Sequence, residues 1–189
     1  ANALYNRKLY SAAIPEYQAF LSQYPNHAKA DNARHGLALS FFGSGNYQQA
    51  EPLFKALATS GTVGDKAQMM VLLGQCHLKI SGLAQAEKTF AAAATTEGKP
   101  EFRNNALAML TDVRYQLHDW TNTIIAADNV MRADPTGPLT GRAGYQGAYA
   151  RFQLKLYPDT ITTLTSLAPV VKGTPIQTKA AFLLGESYF

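Results

Sequence analysis

The sequence predicts an all-α fold, a solenoid of antiparallel helix pairs, from three observations. Anchor residues recur at intervals of 36 or 37 residues: Tyr10, Tyr47, Leu83, Trp120 and Tyr157. Three residues after each anchor comes a small or short side chain: Ala13, Ala50, Ala86, Thr123 and Thr160. Apolar residues between the anchors follow at three- and four-residue steps, the spacing of a helix face. A fixed period in this range is typical of stacked repeats, in which each unit buries its apolar face against its neighbours.

The first complete repeat shows how one period divides into two helices. Asp31 or Asn32 is expected to cap the first helix, and the cluster 43–46 (Gly-Ser-Gly-Asn) should end it. The second helix then begins at the anchor Tyr47 and should end at Gly61. The same scheme predicts six segments: 1–30 (partial), 31–66, 67–103, 104–140, 141–177 and 178–189 (partial).

The later repeats depart from the pattern of the earlier ones. Threonine replaces alanine at positions 123 and 160, and Gly141, Gly144 and Gly147 recur along one predicted helix. Because glycine costs about 1 kcal/mol relative to alanine inside a helix, we expect this helix to be the least stable segment.

Composition and charge exclude several classes of protein. Hydrophobic residues make up 47% of the 189 residues, which excludes intrinsic disorder, and no apolar run is long enough to span a membrane. The net charge is +4, and only Arg7 and Lys8 are adjacent basic residues. A nucleic-acid-binding chain would concentrate such residues in a stripe, so we expect no nucleic-acid partner.

The recurring residues resemble a tetratricopeptide repeat (TPR). In the first helix they are Leu73-Gly74, Leu184-Gly185 and Tyr188; in the second helix, Tyr47, Ala50, Phe54, Leu83, Ala86, Phe90 and Ala93; and at the helix end, Tyr24-Pro25 and Asp134-Pro135. The match is strong over 1–95 and degenerate beyond about 105, where Thr111 and Arg114 depart from it. The resemblance implies a right-handed TPR-like superhelix of about five repeats, with a partial helix at each end.

The opening segment is similar to bacterial cell-envelope members of this family. It reads Tyr17-Gln18-Ala19-Phe20-Leu21, followed by Tyr24-Pro25. This similarity implies a periplasmic or other cell-envelope location, and a cytoplasmic location stays open.

No catalytic, cofactor-binding or metal-binding motif is present in the sequence. The four histidines have no metal-ligand spacing and are expected at the surface or at helix ends. The segment Gly43-Ser44-Gly45 lacks the remaining residues of a phosphate-binding loop, and Phe189 stands where a nucleophile elbow needs glycine. We therefore predict no enzyme activity and neither a cofactor nor a bound metal.

The resemblance implies that the first helix of each pair lines a concave groove that binds a protein or peptide. The candidate groove residues are Asn32, His35, Leu39, Phe42, Gln68, Gln75, Asn105, Asp112, Tyr115, Arg142, Tyr145, Tyr149 and Phe152. The family's clamp for a chaperone C-terminal carboxylate is missing, since His35 and Leu39 stand at its early positions. Whether the aromatic residues bind a ligand or only pack inside the solenoid stays open at this point.

Two other roles also fit the pattern. The chain could be a structural spacer that self-associates through uncapped ends, or the helical-repeat part of a larger enzyme. In the inferred register both ends fall inside helices, which predicts a fragment of a longer repeat array. The residues expected to be exposed at the C-terminal end are Leu183, Leu184, Tyr188 and Phe189.

Overall fold

The computed structural model describes all residues 1–189 as eleven α-helices without a strand, which confirms the all-α prediction. The helices are α1 Asn2–Asn6, α2 Tyr10–Gln23, α3 Ala30–Gly43, α4 Tyr47–Ser60, α5 Lys66–Ile80, α6 Leu83–Thr95, α7 Pro100–Gln116, α8 Trp120–Ala133, α9 Thr140–Gln153, α10 Tyr157–Val171 and α11 Ile176–Glu186.

The five anchors are the first residues of α2, α4, α6, α8 and α10. The small residue three positions later has 0% exposure in every copy: Ala13, Ala50, Ala86, Thr123 and Thr160. A larger side chain at this point would keep the neighbouring helix away, so the repeat in the sequence reflects a repeated close packing contact.

The chain divides into two compact units, an N-terminal unit of residues 1–102 and a C-terminal unit of residues 103–189. In the N-terminal unit, consecutive helices from α2 to α6 pack in antiparallel sequence around cores that include Phe54, Met69 and Tyr17. In the C-terminal unit, α9 packs on α8 and α10, and its core includes Leu164 and Leu167.

The turns inside the helix pairs share a left-handed residue that the repeat pattern did not reveal. Lys8, Gly45, His118 and Lys155 each lie two residues before an anchor and have φ between 59° and 82°. At Lys155 the turn is closed by Lys155 N–H donating to Phe152 C=O (2.9 Å) and Leu156 N–H donating to Arg151 C=O (2.9 Å). This pair of backbone hydrogen bonds ends a helix and sets the direction of the next one.

The expected cap at Asp31 or Asn32 is wrong. Helix α3 begins at Ala30, and Lys29 stands at its N-cap without a side-chain hydrogen bond. Asp31 lies in the first turn instead, where a carboxylate interacts favourably with the helix dipole. Side-chain caps occur at α5 and α8, where Asp65 and Asp119 accept from the backbone N–H three residues later.

The departures in the later repeats have packing reasons. A Cβ added at Gly144 would lie 2.7 Å from Leu167 Cδ1, and one added at Gly147 would lie 2.7 Å from Ala127 Cβ. The Leu167 side chain can shift, but Ala127 Cβ is fixed to its backbone, so the close approach of α9 requires glycine at Gly147. The buried threonines satisfy their hydroxyls locally, as Thr123 Oγ1 donates to Asp119 C=O at 2.7 Å.

The expected exposure at the C-terminal end is only partly right. Leu183 is buried and Leu184 is half-buried, because both pack into the core of the C-terminal unit. Tyr188 and Phe189 are exposed, and so is Phe182 (71%), which the register had not singled out. None of the eleven helices combines the length and the hydropathy needed to cross a bilayer.

Candidate functional site

The candidate groove residues of the C-terminal unit lie on two helices. Asn105, Asp112 and Tyr115 follow one face of α7, and Arg142 and Tyr149 lie on a matching face of α9. The spacings of three and seven residues place each set on one side of its helix. These two helix faces meet through an ion pair and a ring contact, and together they form what we call the α7–α9 face.

The aromatic part of the α7–α9 face is a cluster of four half-buried rings. Tyr149 lies at its centre, with ring centroids 5.4 Å from Tyr115, 6.5 Å from Tyr145 and 5.9 Å from Trp120. Burial, and then the neighbouring tyrosines, raise the pKa of Tyr115 and Tyr145, so both keep neutral hydroxyls that can donate and accept. Each ring therefore offers an apolar edge with a polar tip.

Trp120 is a member of the cluster that sequence reasoning missed. As the anchor that opens α8, it was interpreted only as a turn residue, but its ring contacts Tyr115 at 5.8 Å. The His118 ring stacks on it at 4.9 Å and 15°. The signal in the sequence was that Trp120 is the only tryptophan at an anchor position, where the other copies have tyrosine or leucine.

Next to the rings lies a buried polar cluster. Asp112 Oδ1 accepts from Gln146 Nε2 at 2.8 Å and from Arg142 Nη2 at 2.8 Å. Asp112 and Gln146 are each 8% exposed, whereas the Arg142 side chain is 62% exposed. Burial raises the pKa of Asp112 and outweighs the lowering by its two donors.

The polar cluster borders a cavity of about 220 Å³ between α7 and α9. The walls consist of Ala108, Met109, Asp112, Pro138, Leu139, Arg142, Ala143 and Gln146. Gln146 was not among the predicted site residues. Its signal was a long polar side chain within the otherwise small-residue run of α9, four residues after Arg142.

Phe152, the last predicted residue of this unit, points to a different environment. Its ring contacts Tyr157 at 5.5 Å, and it packs against the core that contains Leu164 and Leu167, as Tyr145 and Tyr149 also do. The arrangement gives Phe152 a packing role, and it shares no ring contact with the cluster around Tyr149.

The six candidate residues of the N-terminal unit are not gathered into one site. Asn32 lines a separate cavity beside α1 and Tyr17, while Leu39 and Phe42 pack against the core of that unit. His35 is half-buried, its Nε2 has no hydrogen-bond partner, and burial lowers its pKa. Gln68 donates its backbone N–H to the Asp65 cap, and Gln75 is half-buried on α5.

His77 lies at a helix end, one of the two expected places, and it is buried. It lies in the last turn of α5, and its Nδ1 is 2.8 Å from Thr89 Oγ1 while its Nε2 is 3.5 Å from Glu51 Oε1. Neighbouring Cys76 is also buried, which raises its pKa to about 12 and keeps it a thiol. No group of three His, Cys, Asp or Glu side chains is placed to hold a metal ion.

Comparison with known proteins supports the family resemblance over part of the chain and the fold over most of it. Residues 35–101 match the family model described as Tetratricopeptide repeat. Among solved structures, MamA MSR-1 C2 has a TM-score of 0.62 at 12% identity, covering 85% of this chain and 86% of its own. BtubC (BKLC) from P. vanneervenii has a TM-score of 0.62 at 12% identity, with coverages of 98% and 83%.

A Podosopora anserina protein described as a kinesin light chain with nearly identical TPR-like repeats is similar as well. Its TM-score is 0.59 at 12% identity, and 86% of this chain and 87% of that chain are covered. No curated protein matches the sequence. At these identities the solved structures show a shared TPR-like fold of stacked helix pairs and no shared ligand.

Proposed function

We propose that this chain is a non-catalytic protein-interaction scaffold that binds a peptide segment of a partner protein on the α7–α9 face. Two findings support the general role. Residues 35–101 match a repeat family, and stacked helical repeats present extended surfaces that bind partners. A location in the cell envelope stays a prediction.

The observation that carries the proposal is the aromatic cluster around Tyr149. Four half-buried rings pack against one another and are already ordered. A ligand that packs on them therefore costs little side-chain conformational entropy. Tyrosine and tryptophan in such settings dominate the binding energy of protein interfaces. The adjoining cavity and Asn105 add polar groups that can orient a peptide.

The experiment uses peptides selected from a random phage-displayed library against the whole chain. We expect Tyr149→Ala to weaken binding of a selected peptide by about 30-fold, the equivalent of about 2 kcal/mol for a hot-spot aromatic. Asn105→Ala should weaken it less. Phe182→Ala is the matched control, because Phe182 is an exposed ring of the same unit outside this face. Circular dichroism of each variant checks that helicity is kept.

The same variants separate the proposal from its rival. A structural or self-associating role is favoured by the exposed rings of Phe182 and Tyr188, on which a helix of another chain could pack. If Phe182→Ala disrupts peptide binding or dissociates an oligomer while Tyr149→Ala changes nothing, the structural role is correct. Loss of helicity in Tyr149→Ala and Asn105→Ala would show that these residues belong to the core.

A further inference from the structure

The cavity between α7 and α9 is lined by one buried hydrogen-bond acceptor without a donor and by a carboxylate whose two contacts fall on one oxygen. Those contacts of Asp112, with Gln146 and Arg142, both involve Oδ1. Gln146 Oε1 is buried and has no partner. Because a carboxylate only accepts, the NH₂ of Gln146 must face Asp112, which fixes Oε1 as the free end of the amide.

A buried acceptor without a donor is unfavourable, and native proteins rarely leave one unless a ligand or water completes it. Here the side chain that carries it is more than nine-tenths buried and lines the cavity. The other cluster members do not supply the missing donor, since Arg142 and Gln146 Nε2 both point to Asp112 Oδ1 and no group donates to Gln146 Oε1.

The size and walls of the cavity limit what can enter. At about 220 Å³ it is smaller than the sites that hold whole small-molecule ligands, and it suits a single side chain. Ala108, Met109, Leu139 and Ala143 give it apolar walls, and Asp112 and Gln146 add polar groups. An aliphatic stem that ends in N–H donors matches this arrangement.

We propose that this cavity receives the side chain of an arginine or lysine from the bound peptide, with its N–H donors on Asp112 Oδ2 and Gln146 Oε1. The inference rests on the proposed function in one respect, that the basic residue belongs to a peptide. Arg142 is the competitor inside the chain, since it reaches the same carboxylate from outside and is largely exposed. An acidic side chain is disfavoured, because it would bring a second carboxylate against Asp112.

The test titrates four capped amino acids into the whole chain and follows the ¹³C methyl signals of Ala108, Met109, Leu139 and Ala143 by NMR. The probes are the N-acetyl methylamides of arginine, lysine, norleucine and glutamate. We expect saturable shifts with arginine or lysine, with a dissociation constant of roughly 1 mM. Norleucine, which has the stem without the charge, should bind at least about tenfold more weakly, and glutamate should not saturate.

Three variants define the site. Asp112→Asn and Gln146→Met should each weaken binding of the basic probe by about tenfold, because each removes one acceptor. Arg142→Ala should bind the basic probe at least as tightly as the natural chain, since the internal competitor is gone. The norleucine comparison needs no variant, so it stays informative even if a substitution disturbs folding.

Several outcomes would overturn the inference. They are no saturable shift with either basic probe, equal binding of norleucine, binding of glutamate in place of arginine, or loss of the basic probe in Arg142→Ala. Binding of glutamate would make the site an anion site built on Arg142, and loss of the basic probe in Arg142→Ala would show that Arg142 is part of the site and not a competitor. None of these results touches the Tyr149 test, so peptide binding on the aromatic rings would stand or fall separately.

Discussion

Each unit of this chain buries one polar cluster between helices, and the two clusters differ in how completely their hydrogen bonds are made. In the N-terminal unit His77 Nδ1 is 2.8 Å from Thr89 Oγ1 and Nε2 makes a longer contact of 3.5 Å with Glu51 Oε1, and no side-chain atom of these three residues is buried without a partner. In the C-terminal unit Gln146 donates to Asp112, but its own buried Oε1 has no partner. We call the first cluster closed and the second open.

The difference separates a structural cluster from a candidate binding site. A closed network stabilises the fold and has nothing to offer a ligand, whereas an open one gains a bond when a donor arrives. The open cluster also has a cavity beside it and aromatic rings next to it. Residue type alone would have favoured His77 as the functional residue, because histidine has many catalytic and metal-binding roles.

The largest expected effect tests the closed cluster. Thr89→Val removes the hydroxyl that pairs with His77 and leaves a buried nitrogen without a partner, so the free energy of unfolding should fall by about 1–3 kcal/mol. Thr95→Val is the control, because Thr95 is exposed and also bonds within its helix. Urea denaturation followed by circular dichroism measures both.

The open cluster should respond differently to the matching change. Gln146→Met removes the unpaired Oε1 together with one donor to Asp112, and these effects oppose each other, so stability should change by less than about 1 kcal/mol. If Gln146→Met destabilises the chain as much as Thr89→Val does, the contrast between closed and open clusters is wrong.

The glycines of α9 give a second contrast, inside the C-terminal unit. At Gly147 an added Cβ would lie 2.7 Å from Ala127 Cβ, which is fixed to its own backbone, whereas at Gly141 the nearest atom is Val171 Cγ1 at 3.4 Å. Gly147→Ala should therefore lower the free energy of unfolding by about 1–2 kcal/mol despite its gain in helix propensity. Gly141→Ala should raise it by up to about 1 kcal/mol.

Thermal denaturation of these two variants distinguishes packing from propensity. If both substitutions stabilise the chain, the sequence-based expectation is correct and the glycines merely weaken α9. Opposite signs would show that Gly147 is required by the contact between α8 and α9.

Most of the fold followed from the sequence because its strongest constraint is local and periodic. The fully buried position at the close contact between helices admits only small side chains. This constraint repeats at positions such as Ala50 and Thr123. The start of each second helix was predictable for the same reason. The N-terminus of α3 was not, because Lys29 makes no side-chain cap and leaves no cap signature.

The candidate site followed from the sequence only in part. The register implied by the family resemblance placed Asp112, Arg142 and Tyr149 on the groove-facing sides of their helices. It could not show that Gln146 turns inward to reach Asp112 or that Trp120 joins the rings, since these contacts depend on the spacing between helices. It also could not show that the Phe152 ring contacts Tyr157, outside the cluster around Tyr149.

The smallest expected effect concerns the turns, where different residues adopt one backbone conformation. The turn before α4 places Gly45 at φ 82°, whereas the turns before α8 and α10 place His118 and Lys155 at 59° and 60°. A residue with a side chain is strained by about 1 kcal/mol in this left-handed region. Glycine relieves that strain, but part of the gain is cancelled because glycine loses more conformational entropy on folding. Lys155→Gly should therefore raise the free energy of unfolding by about 0.5–1 kcal/mol.

His118→Gly should gain less than Lys155→Gly, because the same substitution removes the ring that stacks on Trp120 at 4.9 Å. Such a pair contributes about 0.5–1.5 kcal/mol, enough to offset the relief of strain. Gly45→Ala is the reverse control, and it should lower the free energy of unfolding by about 1 kcal/mol. Equal gains from both glycine substitutions in urea denaturation would mean that the His118–Trp120 stack contributes nothing to stability, and that Trp120 is held in the aromatic cluster by Tyr115 and Tyr149 alone.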